Sequence, residues 1–197
     1  MSSTDQGDRS ALLDLKLAAD LVEELEAALD DEAVGDLVDT AKTKLLSMPS
    51  LSDTASAMKS QLKLSKLAKA TDRRVDEVVA RCDAIARQHP DVTLDDGTNP
   101  DELKARAIYA KARLLISMIP AMNVLNRKKS YRKALDILEE SLKACPNQAS
   151  HLAVGYCLSR LKDRQGAAAA FQRCIDLNDE TEYALEAARR QRDLGLR

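Results

Sequence analysis

The chain has no tryptophan, one phenylalanine and four tyrosines, so aromatics make up 3% of its 197 residues. Its core must therefore be aliphatic, and a surface that stacks nucleic-acid bases has little to build from. Six glycines and five prolines are too few to turn the many corners of an all-β fold. Only two histidines occur, His89 and His151, and no G-x-S-x-G, H-E-x-x-H or Gly-rich phosphate loop appears. Little is left for a catalytic centre, and no enzyme activity is expected. Cys82, Cys145, Cys157 and Cys174 include no C-x-x-C pair. They read as reduced thiols of a cytoplasmic protein, mostly buried as small apolar groups. The spacing of Cys145, His151, Cys157 and Cys174 does not suit zinc, so neither metal nor other cofactor is expected. The opening MSSTDQGDR is polar with no apolar segment behind it, and no signal peptide is expected. The longest apolar stretch, Leu114 to Met122, is broken by Ser117 and Pro120, far short of the roughly 20 residues of a membrane span.

What is present favours helices. Hydrophobic residues at 45% suffice for a core, and Ala, Leu, Lys, Glu, Arg and Asp dominate, most of them strong helix formers. The net charge of −2 conceals blocks. Residues 1–40 hold twelve acids against Arg9 and Lys16, and residues 41–74 hold eight bases against Asp53 and Asp72. Residues 75–103 return eight acids to two bases, and 104–145 ten bases to three acids. Such alternation favours segments packing on one another over one broad basic face for nucleic acid, though clustered solvated helix faces explain it equally well.

Residues 1–9 are polar and expected to be disordered. From Ser10, Leu13, Leu17, Leu21, Leu25 and Leu29 recur every fourth residue, with Ala18, Val22 and Ala28 widening the stripe. A second helix is expected over about 32–48, stopped by Pro49. A third should start at Ser50 or Ser52, and a fourth at Thr71 or Asp72, both cap-forming types. Residues 89–100 (HPDVTLDDGTNP) form the clearest loop and divide an N-terminal helical region, 10–98, from a C-terminal one, 99–197. Asn99-Pro100-Asp101-Glu102 then supplies a capping side chain, a proline at the first helical position and a glutamate at the third. The helix it opens is expected to run to about Asn126 with a kink at Pro120. Helices over about 130–144, 148–161, 164–177 and 181–194 complete an all-α chain of about nine helices.

Offsetting the last third by 33 residues superimposes Met122 on Gly155, Leu125 on Leu158, Ala134 on Ala167, Leu138 on Phe171 and Pro146 on Asp179. With this pattern, residues 115–194 resemble tetratricopeptide repeats, units of two helices with a period near 34. Gly155 and Leu158 fit the small and apolar places of a first helix. Ala134 and Ala167 fit the second helix, Leu138 and Phe171 the large apolar place one turn on, and Pro146 the position just past it. Met118 and His151 stand where the family carries tryptophan, Met122 replaces a small residue, and Asp179 replaces proline. Residues 182–194 resemble the polar helix that closes such arrays. The LAVG of residues 152–155 is also similar to the mitochondrial fission adaptor of the outer membrane. That family carries a C-terminal membrane tail whereas this chain ends LGLR, so no membrane partner is expected.

The resemblance implies an α-solenoid binding a protein or peptide along its concave face. The inward candidates are Asn123, Asn126 and Arg127 in the first unit and Tyr156, Ser159 and Arg160 in the second. Arg127, Arg160 and Asn123 could clamp a carboxylate, which favours an acidic peptide. The basic run 127–133 could also receive the acidic N-terminal helix of a second copy or RNA, but reads more simply as a solvated turn with Tyr131 packed beneath it. Nucleic acid is the weakest of these partners. The expected function is that of an interaction adaptor. One alternative is a subunit whose amphipathic helices drive oligomerisation, which an exposed apolar stripe on helices 10–29 and 101–126 would favour. The other is an enzyme or nucleic-acid binder using the unrecognised N-terminal region, which a pocket with perturbed titrating groups would favour.

Overall fold

A computed structural model describes residues 3–29, 31–46, 51–122 and 124–195, and among these every regular element is a helix. Eight α-helices follow in order: α1 (Ser3–Ala28), α2 (Asp31–Leu46), α3 (Leu51–Gln88), α4 (Pro100–Met118), α5 (Val124–Ala144), α6 (Gln148–Arg160), α7 (Arg164–Leu177) and α8 (Glu182–Asp193). A 3₁₀ turn, Ile119–Ala121, links α4 to α5. No helix among the described residues is long and apolar enough to cross a membrane.

The N-terminal half departs from the sequence expectation in three ways. Residues 3–9, expected to be disordered, are the first turns of α1. The inward stripe of α1 is Ala11, Leu15, Ala18, Val22, Leu25 and Leu29, whereas Leu13 and Leu17 are 62% and 44% exposed. A strict period of four drifts across a 3.6-residue helix, so the leucine ladder leaves the core face as it is followed backwards. The third and fourth expected helices are one, α3, of 38 residues. No Gly or Pro interrupts it. Thr71 does not cap; it is buried, and Asp72 pairs with Lys111 of α4 at 3.0 Å. A cap-forming residue need not begin a helix: burial of Thr71 and the pairing of Asp72 with Lys111 keep both inside one.

α3 is the spine of this half. α2 packs on it and reaches the 3₁₀ turn, while α1 packs on both α3 and α4. The N-terminal end of α1 meets the C-terminal end of α3 through Asp8 and His89 at 3.2 Å. His89 thus links the two helices. Glu24 lies 3.6 Å from Arg74, and Glu26 receives two hydrogen bonds from Arg106, at 3.2 and 2.7 Å. The loop 89–99 does not divide the core, for one apolar cluster runs from Leu15 of α1 to Cys157 of α6.

Asn99 caps α4 as its sequence dictates, its side chain accepting from Glu102 N at 2.9 Å with Pro100 behind it. The long helix expected to continue to Asn126 instead stops at Met118. Pro120 has no N–H to donate, and its ring would clash with the carbonyl four residues back, so the chain breaks rather than kinks. The total is eight α-helices among the described residues, not about nine.

The C-terminal half consists of two helical hairpins, α4–α5 and α6–α7, followed by α8. Short connections force consecutive packed helices to run antiparallel. Ser141 of α5 ties the hairpins together. Its hydroxyl donates to Ala105 O of α4 at 2.8 Å and sits 2.9 Å from Ser150 Oγ of α6. All three partners are buried, so each hydroxyl is satisfied inside the fold. Gln148 does the same farther on. Its amide donates to Cys174 O at 2.8 Å and Asn178 O at 2.5 Å, and accepts from Thr181 Oγ1 at 3.0 Å, fixing where α8 begins.

Candidate functional site

Ala134, Leu138, Gly155, Ala167 and Phe171 are buried, Leu158 is half-buried, and Pro146 is exposed in the α5–α6 link. Gly155 has a steric reason: a methyl group there would overlap the Phe171 ring. Met122, aligned with Gly155 by the 33-residue offset, lies off any helix in an extended conformation. Leu125, aligned with Leu158, is 87% exposed. The offset therefore holds for the second helices, α5 and α7, but not for the first. The first helix of the upstream hairpin is α4, which buries Ala105, Ala107, Ala110 and Ala112.

This shift moves the candidate groove residues apart. Asn123 lies outside the described residues. Asn126 is exposed on α5, and Arg127 is turned inward on its own connection. The Arg127 guanidinium donates to Pro120 O at 2.8 Å and Met122 O at 3.2 Å, satisfying carbonyls freed where α4 breaks. It is a local brace, and the expectation that it faces a ligand beside Arg160 does not hold.

The second-hairpin candidates do cluster. Tyr156 of α6 meets the edge of Tyr131 of α5, ring centroids 6.2 Å apart. The Arg160 and Arg190 guanidinium carbons lie 5.1 and 5.3 Å from the Tyr156 ring centre, within cation–π range. Ser159 is half-buried beside them. Burial, then its hydrogen bond to Tyr156, raises the Tyr131 hydroxyl to about 12. Arg160 is held further in its charged form by its hydrogen bond to Tyr156. Arg190 is also paired with Glu186 at 2.7 Å. Burial and the nearby Arg173 depress His151, which keeps its imidazole neutral.

One face of Tyr156 opens on a groove of about 370 Å³ between α4, α6 and α8, lined by Tyr109, Arg113, Ile116, Leu152, Ala153 and Arg190. A second hollow of about 330 Å³ lies toward the start of α4 and shares Tyr109 and Ala149 with the first; Glu26, Glu102, Arg106 and Tyr183 also line it. Both are open troughs mixing apolar and charged lining, and they suit a side chain or short segment. Sequence reasoning missed Tyr109, Arg113, Leu152 and Arg190. The signal was present in the caps: Asn147 opens α6, accepting from Ser150 N at 2.8 Å, as Asn99 opens α4. Two matching asparagine caps mark the first helices better than the 33-residue offset does.

No family model matches the chain, and neither does any curated protein or solved structure compared with it.

Proposed function

We propose that this protein is a cytoplasmic interaction adaptor without catalytic activity. It is a short solenoid of tetratricopeptide type that holds a segment of another protein. The observation that carries this reading is the pair of neighbouring hollows along α4, α6 and α8, the first helix of each hairpin and the closing helix, which share Tyr109 and Ala149. Tyr109, Tyr156, Ile116 and Leu152 supply contact area, and Arg113 and Arg190 add arginine side chains to the lining, the composition of a peptide-recognition surface. Selecting a random-peptide display library on the protein tests it. Selected peptides should lose binding when Ala153→Trp fills the trough while thermal unfolding stays normal. If every selected peptide binds that variant as well as wild type, the groove is not the site.

A specific observation favours a second reading, assembly. Leu13 and Leu17 lie one turn apart on the outer face of α1, both exposed. Sedimentation of wild type and Leu13→Glu distinguishes it: a wild-type oligomer dispersed by that change would make self-association the role of the N-terminal half.

A further inference from the structure

Residues 54–71 of α3 contain four lysines and no acid. Lys59, Lys63, Lys66 and Lys69, with Arg73 just beyond, recur every three or four positions, so they share one outer face of the helix, and all five are exposed. Among the described residues none of the five has an ion-pair partner. The cations nearer the core are matched: Arg74 by Glu24, Lys104 by Asp83 and Lys111 by Asp72. Like charges three and four apart work against the helix that bears them, so the stripe burdens the single chain. Met58 and Leu62, one turn apart on the same side, are 66% and 58% exposed.

The chain also holds a complementary face. On α1, Leu13 and Leu17 stand exposed at the same one-turn spacing. Asp14 and Asp20 beside them are exposed and have no ion-pair partner among the described residues. Glu24 adds a carboxylate held loosely to Arg74 at 3.6 Å, and Lys16 offsets one of these charges. The two faces do not meet within one chain. The pairs Asp8–His89 and Glu24–Arg74 set α1 antiparallel to α3, with Leu17 level with about residue 81. The α1 leucines therefore lie roughly 22 Å along α3 from the middle of the stripe, at 1.5 Å per residue. That is more than twice the screening length of about 8 Å at physiological salt.

Resting on the assembly reading above, we infer that the α3 stripe is covered by α1 of a second copy of this chain. Leu13 and Leu17 of one copy pack on Met58 and Leu62 of the other, and Asp14 and Asp20 neutralise the surrounding lysines. Pairing α1 with α1, or α3 with α3, would set like charges together, so charge selects the mixed contact. Each copy carries both faces, so a two-fold arrangement makes the contact twice and closes at a dimer.

Sedimentation equilibrium of the full chain tests this, with melting curves as the folding control, since every position changed is exposed. Wild type should dimerise, more tightly at low salt. Lys63→Glu with Lys66→Glu should weaken dimerisation about tenfold or more, and so should Asp14→Lys with Asp20→Lys. The chain carrying all four reversals should return to within about threefold of wild type, because acid again faces base. The inference is overturned if either pair of reversals leaves dimerisation unchanged, or if the fourfold variant stays as weak as the pairs. In that case, association that Leu13→Glu still disperses keeps the assembly reading. A wild-type chain that stays monomeric at every salt concentration removes both. Polyglutamate binding abolished by Lys63→Glu with Lys66→Glu would then give the stripe to a foreign acidic segment.

Discussion

Gly155 of α6 and the ring of Phe171 of α7 lie so close that no side chain larger than hydrogen fits between the two helices. Helix α6 can approach α7 only because the backbone itself forms the contact surface. Gly155→Leu should therefore overpack this crossing at a cost of about 1–3 kcal/mol. In a chain of this size that lowers Tm by roughly 3–10 °C. Gly155→Ala with Phe171→Leu should recover part of the loss, because the smaller residue vacates the space. An unchanged melting curve for Gly155→Leu would refute the close crossing.

Arg127 and Arg160 are expected to behave oppositely on charge reversal. Arg127→Glu removes both donors to Pro120 O and Met122 O. It should destabilise by about 1–3 kcal/mol, the cost of stranded polar groups. Arg160 is exposed, and Arg160→Glu should cost about 0.5–1 kcal/mol, the worth of an exposed cation–π contact such as the one it makes with Tyr156, while weakening acidic ligands in the trough. Urea titrations of both variants beside a binding assay decide it. Similar losses of stability in the two would disprove the bracing role of Arg127.

Helices α6 and α7 are joined through Lys162, the one non-glycine residue with positive φ, at 70°, among the described residues. Asp163 N donates to Leu158 O at 3.0 Å across it, the bond of a Schellman turn. A lysine there carries a left-handed strain of about 1–2 kcal/mol that glycine escapes. Lys162→Gly should raise stability by about 0.5–1 kcal/mol after its greater unfolded-state entropy is deducted. A fall in the urea midpoint would contradict this account of the turn.

Alkaline solution should progressively destabilise the protein as its buried thiols are driven to ionise. Burial pushes the Cys157 thiol up to about 12, and burial with the nearby Asp83 pushes Cys82 up to about 11. The unfolded chain releases these protons near pH 8.5, so between that value and the folded ones the native state binds more protons. Stability is then complete below about pH 8.5 and lost as pH rises toward about 11–12. Cys157→Ala should lower stability at neutral pH but flatten its decline over about pH 9–10.5. Urea midpoints at several pH values measure it, and parallel declines in both proteins would show that this thiol is not the cause.

The C-terminal half was largely legible because its signals are local. Asn99 with Pro100, Asn147, Asp163 and Thr181 each announce a helix start, and each side chain accepts a backbone bond there. The N-terminal half was less so, because its decisive facts are tertiary. Thr71 and Asp72 look like a boundary until Asp72 is seen paired with Lys111 across to α4. Pro120 marks an interruption in the sequence, but the expected kink is instead a break, and Arg127 satisfies carbonyls freed there. The candidate site was half legible. Tyr156 and Arg160 fell in the right hairpin, while Tyr109 and Arg190 come from helices that a fixed sequence offset could not bring together.

The pairing of α1 with the far end of α3 also has a temporal side. Asp8 and His89 are 81 positions apart, so during synthesis at about 5–20 residues per second the first helix waits roughly 4–16 s for its partner. Until α3 and α4 are complete, Leu15, Val22 and Leu25 lack part of their core, whereas α6, α7 and α8 pack on helices made just before them. Helix α1 is thus the stretch on which chaperones have longest to act, while α6, α7 and α8 assemble by short-range closure.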